Sequence, residues 1–148
     1  MNYSQLTDIY LPAMMAIFLA YIAYQQMKTN KSKLKLDLYD KRFKIYTDTL
    51  RFYQELLGEE VSKEVHRAFI NSKEASMFLF SNNIEIYKLL EQMHSESFKI
   101  IGFKKHGKEL LSCPGQFIKS NNNAQETLKW FGENMLELRK KMGQHLNQ

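Results

Sequence analysis

Residues 32–57 read SKLKLDLYDKRFKIYTDTLRFYQELL, twenty-six positions without a glycine or a proline. Within them Leu36, Tyr39, Phe43, Tyr46, Leu50, Tyr53 and Leu57 recur at alternating intervals of three and four. That spacing lines apolar side chains along one side of an α-helix, whose 3.6-residue turn superposes i, i+3, i+4 and i+7. A helix with one apolar stripe gains little stability alone and needs a partner to cover the stripe, so the stretch predicts a helix of a bundle.

Toward the C-terminus the same reading repeats. Gly58 offers a stop, and Glu59-Glu60 opens a second helix expected to reach about Phe80, with Val61, Val65, Ala68 and Phe69 inward and a break near Asn71 and Ser72. Ser81-Asn82-Asn83 predicts the cap of a third helix, Ile84 to about Ile101, with Ile84, Tyr87, Leu90 and Met93 at helical spacing. The glycines at 102 and 107, the pair Pro114-Gly115 and the asparagines at 121–123 predict a loop around a short helix at 108–112. A final helix from Ala124 to about His145 carries Leu128, Phe131, Met135, Leu138, Met142 and His145 at helical intervals. With no alternating strand pattern, the fold class is all-α, a four-helix bundle in a single cytosolic domain over residues 29–148.

Toward the N-terminus the chemistry changes. Residues 9–24 read IYLPAMMAIFLAYIAY, with no charge, and residues 1–28 predict a transmembrane anchor. Sixteen helical residues span roughly 24 Å against roughly 30 Å of hydrocarbon; Leu6, Thr7 and Asp8 before the run and Gln25, Gln26 and Met27 after it extend it to about 33 Å. Tyr3, Tyr10, Tyr21 and Tyr24 stand where interfacial rings belong, and Pro12 is expected in the first helical turn. A signal peptide would carry its positive charge ahead of the apolar run and small residues behind it; here the order is reversed and Tyr24-Gln25-Gln26 follows.

Between Lys28 and Arg51 eight basic residues face three acidic ones, so the chain's net charge of +5 is concentrated beside the apolar run. Lys28, Lys31, Lys33 and Lys35 read as a basic flank for anionic lipid on the cytoplasmic side of a bacterial inner membrane, with the N-terminus outside. The same residues could also contact nucleic-acid phosphates, a use the topological role makes unnecessary. Ala13, Ala16, Ala20 and Ala23 fall on one side of the anchor at intervals of three, four and three. In lipid, helices associate where small residues let backbones approach, so this stripe predicts an oligomer interface.

Chemistry-bearing residues are few. His66, His94 and His106 stand singly, without ligand spacing, and no metal or other cofactor is implied. The lone Cys113 cannot form an intrachain disulfide and reads as a buried structural thiol. Arg139 and His145, in RKKMGQH, are separated by five residues. The pair resembles the R-x(4–6)-H element of the HEPN superfamily, helical bundles whose dimers can cut RNA. That resemblance implies an Arg139 that stabilises phosphate and a His145 in acid–base chemistry, without a metal. Six positions on a helix nevertheless set the two side chains about 120° apart.

The phrases DLYDKRFKIYTDTLRFYQELL, EASMFLFSNNIEIYKLLEQM and ETLKWFGENMLELRKKM resemble a group of small bacterial proteins that join an N-terminal anchor to a helical domain. Asp40, Arg42 and Phe43, then Phe78 to Phe80, then Trp130 with Phe131 carry the likeness. The layout is also similar to the membrane accessory proteins of type VI-B CRISPR systems. That likeness implies a homo-oligomeric membrane pore serving antiviral defence beside an RNA-guided nuclease complex. A membrane-tethered HEPN-like ribonuclease and a non-catalytic membrane scaffold are the alternative expectations.

Overall fold

A computed structural model describes the backbone of residues 3–146 and the side chains of residues 10–145. Among the described residues four α-helices follow one another: α1 (Tyr3–Leu57), α2 (Lys63–Leu79), α3 (Ile84–His106) and α4 (Pro114–Leu146), with a 3-10 turn at Glu109–Ser112. No strand occurs among the described residues. The fold is all-α, and it divides into two compact units, residues 1–38 and 39–148.

The first unit is helix throughout its described length. Asn30 and Ser32 do not interrupt it; the Ser32 hydroxyl donates to the Lys28 carbonyl at 3.2 Å, so its polar atom is absorbed within the helix. Pro12 lies inside α1 rather than in its first turn, because the helix already begins at Tyr3. It withholds one backbone donor there. Among the described residues no helix is long and apolar enough to cross a membrane. The side chains of Tyr3, Leu6, Thr7, Asp8 and Ile9, which the expected span includes, lie outside the described residues.

In the second unit the core is built from Ile45, Phe52 and Leu56 of α1, Val65 and Phe69 of α2, Ile86, Leu90, Met93 and Ile100 of α3, and Phe131, Met135, Leu138 and Met142 of α4. On α1 this is one position away from the expected stripe. Ile45, Thr49, Phe52 and Leu56 are buried, while Tyr46, Leu50 and Tyr53 flank them and Leu57 is exposed. Both rows have helical spacing, and the aromatic contacts decide between them. Phe52 stacks on Phe69 at 4.4 Å between centroids and meets Phe131 edge-on at 6.2 Å, whereas Tyr53 stacks on Phe131 from the side at 5.5 Å. Thr49 fits the apolar interior because its hydroxyl donates to the Ile45 carbonyl at 2.7 Å.

Local chemistry explains the boundaries. Ser62 caps α2, its hydroxyl accepting from the Val65 amide, and Glu55 near the end of α1 accepts from the Ser62 amide at 2.8 Å. α2 runs through Asn71 and Ser72 without a break, since Ser72 is buried and donates to the Asp48 carboxylate at 2.5 Å. Asn83 caps α3 as expected from its residue type, accepting from the Glu85 amide at 3.2 Å. α3 extends to His106, past Gly102, and Lys104 donates to the carbonyls of Glu55 and Gly58. The loop expected from Gly102 to Asn123 is mostly helix: its first residues continue α3 to His106, and residues 114–123 are the start of α4. Pro114 opens that helix where its missing amide costs nothing, the Cys113 carbonyl accepts from the Gln116 and Phe117 amides, and Phe117 packs on Phe103 at 5.5 Å.

Candidate functional site

On α1, the alanines 13, 16, 20 and 23 and the lysines 28, 31, 33 and 35 are all exposed. So are larger apolar side chains near them, Leu11 at 66%, Met14 at 69% and Ile17 at 71%. Helical geometry keeps the alanines on one side and surrounds them with bulkier neighbours, which makes a shallow stripe of close-approach surface.

The structure does not join Arg139 to His145. Arg139 is exposed on α4, and no hydrogen bond or ion pair links it to His145 among the described residues. His145 is half-buried. Its Nε2 lies 3.2 Å from the Asn83 side-chain amide, its ring meets Phe80 edge-on at 5.7 Å, and its backbone carbonyl accepts from Arg42. The separation of Arg139 from it follows from the α-helix itself, which is unbroken at Gly143 and leaves the two residues on different sides. The arginine brought to His145 is Arg42 of α1, through two hydrogen bonds to helix-end carbonyls and a position over the Phe80 ring at 5.4 Å.

Two other histidines do converge. His66 on α2 and His94 on α3 bring their Nε2 atoms to 3.1 Å. Phe52 stacks on His66 at 5.2 Å, and Phe98 approaches His66 at 6.0 Å and His94 at 5.1 Å. Partial burial lowers the pKa of each ring from the ordinary 6.5, because the cation loses water; at His94 the neighbouring His66 and Lys73 add to the effect, against Glu74 and Glu91. Sequence spacing could not reveal this pair, whose members are twenty-eight residues apart on different helices. A weak signal was present in His66 and Phe69 on α2 and His94 and Phe98 on α3, which place a histidine and an aromatic one turn apart on each element.

His106 and Cys113 are surface features. His106 lies 3.4 Å from Glu109 at the exposed end of α3. Cys113 is a free, exposed thiol rather than a buried one, because it occupies the junction between the 3-10 turn and α4, outside the core. Lys73 is buried but paired, with the Glu74 carboxylate at 2.8 Å and the Tyr87 ring at 5.7 Å; the hydrogen bond to Glu74 raises its pKa. Among the described residues no three His, Cys, Asp or Glu side chains converge as a metal site would require. Comparison with protein-family models, with curated proteins and with solved structures finds no match.

Proposed function

We propose that the chain is a membrane-tethered helical domain that self-associates. The apolar run of α1 inserts into a bacterial inner membrane with the N-terminus outside, Lys28, Lys31, Lys33 and Lys35 meet anionic headgroups on the cytoplasmic side, and residues 39–148 work in the cytoplasm. The observation that carries this reading is the exposure of most large apolar side chains between Tyr10 and Met27 on a helix. Water charges roughly 25 cal/mol for each Å² of such surface, and a continuous band of it belongs against lipid or another protein. The tyrosines at 10, 21 and 24 and the lysines that follow match the two interfaces of a bilayer.

Self-association rests on Ala13, Ala16, Ala20 and Ala23, which give a second copy of the helix a path for close approach. The resemblance to CRISPR membrane accessory proteins makes the oligomer a pore effector in antiviral defence acting with an RNA-guided nuclease complex. A non-conducting scaffold needs the same tether and the same oligomer.

The test is fractionation of lysed cells. High-speed sedimentation without detergent is expected to carry the full chain into the pellet, an alkaline wash to leave it there, and detergent to release it. A chain found in the supernatant rejects the tether. With the tether established, purified protein is expected to release dye from loaded vesicles as a pore, and vesicles that stay tight at saturating protein leave the scaffold. Ala16→Leu with Ala20→Leu is expected to reduce the particle mass in detergent, and an unchanged mass removes the alanine stripe from the interface.

A further inference from the structure

The His66–His94 pair holds its Nε2 atoms at 3.1 Å and its ring centroids at 5.3 Å. The two separations differ by about twice the distance from an imidazole centroid to a ring atom, so the nitrogens meet nearly head on, along the line of an N–H···N hydrogen bond. A shared metal would ask for another geometry. Nitrogens about 2.0–2.1 Å from one ion converge on it at an angle, and at this separation their rings would be drawn closer together. Lys73 adds a positive charge near His94, and among the described residues no third ligand joins the two. The pair is built around a proton.

We propose that His66 and His94 form a proton-operated latch between α2 and α3, closed while the pair carries at most one added proton and opened by the second. In the neutral pair one ring donates its Nε2–H and the other accepts through its Nε2 lone pair. A first proton adds to the outer Nδ1 of the donor ring, leaving the hydrogen bond in place and charge-assisted. A second proton must take the accepting lone pair itself. It removes the acceptor and sets two imidazolium N–H groups against each other within the half-buried site, so the two steps belong to the pair and not to either ring.

Nothing around the pair offsets that second charge fully. α1 presents the Phe52 ring, α2 presents Phe69, Lys73 and Glu74, and α3 presents Phe98 and Glu91. Burial is the largest cause of the lowered proton affinity at both rings. The unfolded chain takes up both protons near the ordinary 6.5 while the folded chain resists them. The stabilisation is therefore complete above about pH 6.5 and is lost as pH falls below it. Separation of α2 from α3 would uncover the buried Phe52 and Phe69 rings. This latch does not depend on the membrane reading.

The experiment is an NMR titration of the histidine rings in the full chain, solubilised in detergent, with amide hydrogen exchange of α2 and α3 measured at pH 7.5 and pH 5. His66 and His94 are expected to titrate in two separated steps, both below the ordinary histidine value, with unlike tautomers at neutral pH. Amides of α2 and α3 are expected to lose protection, beyond the intrinsic pH effect, by about tenfold for each pH unit over which one proton is linked to opening. His94→Gln, which can hydrogen-bond without taking up a proton, is expected to remove most of that loss. Independent titration of both rings at the ordinary value overturns the latch, as does an equal loss of protection in wild type and His94→Gln. Zinc ion added at neutral pH is expected to leave both ring tautomers unchanged; a zinc-dependent change in both would reassign the pair to metal. Should His94→Gln fail to fold, the ring titration of the wild-type chain decides alone.

Discussion

The Arg42 guanidinium donates through Nη1 to the backbone carbonyl of His145 at 2.6 Å. Its Nε donates at 3.2 Å to the Leu79 carbonyl. α2 and α4 therefore bring their C-terminal ends to one cation. The last carbonyls of a helix lack intrahelical donors and carry partial negative charge, and a half-buried guanidinium answers both needs at once.

Replacing that cation is expected to loosen both ends. Arg42→Ala should lower stability by about 1.5–3 kcal/mol, the range for hydrogen bonds to charged groups. Arg42→Lys should recover only part, because one ammonium does not reproduce the two-directional fork. Urea unfolding measures both, and an Arg42→Ala loss within about 0.5 kcal/mol would assign the capping to water.

The position of the α1 core is open to a direct comparison. Phe52 is fully buried and Leu36 is 63% exposed, although both belong to regular apolar rows. Phe52→Ala is expected to cost about 3–5 kcal/mol, whereas Leu36→Ala should stay within about 0.5 kcal/mol. Equal losses would move the packed side of α1 back to the row that contains Leu36.

Arg139 and His145 should behave as unrelated residues. Arg139→Ala is expected to leave stability within about 0.5 kcal/mol, since the side chain is exposed. His145→Ala removes the partner of the Asn83 amide and the edge of Phe80, and should cost about 1 kcal/mol. Neither substitution is expected to alter degradation of a labelled single-stranded RNA. Parallel loss of cleavage in both variants would restore the pair as a ribonuclease site.

The thiol of Cys113 gives the simplest readout. An exposed sulfur should react with a disulfide reagent in the folded chain, to one equivalent and without denaturant. A reaction that begins only on unfolding would place the sulfur inside the domain.

Much of this architecture was legible because helix periodicity survives in the residues. The cap at Asn83 has the side chain that satisfies a free amide, and the row Phe131, Met135, Leu138 and Met142 is the buried side of α4; the expected start of the second helix at Glu59-Glu60 lies instead in the non-helical link after α1, and α2 begins at Lys63 behind the Ser62 cap. What could not be read has specific causes. On α1, two adjacent rows of apolar residues satisfy the same period, and only the stacking of Phe52 on Phe69 selects one. At 114–123, glycine and asparagine favour a loop in isolation, but Pro114 starts a helix and the packing of Phe117 on Phe103 outweighs propensity. The meeting of His66 with His94 depends on how α2 lies against α3, which no spacing within either helix records.

The contact between Arg42 and His145 joins residues 103 positions apart. During synthesis α2 and α3 can therefore pair while the chain is still growing, but Arg42 of the first helix must wait for the last helix before it can cap that helix's end. A ribosome that stalls between those points would leave the Arg42 side of the nascent domain unfinished, and that interval is when a chaperone or a neighbouring nascent chain would find Phe52 still open on the side that Phe131 closes.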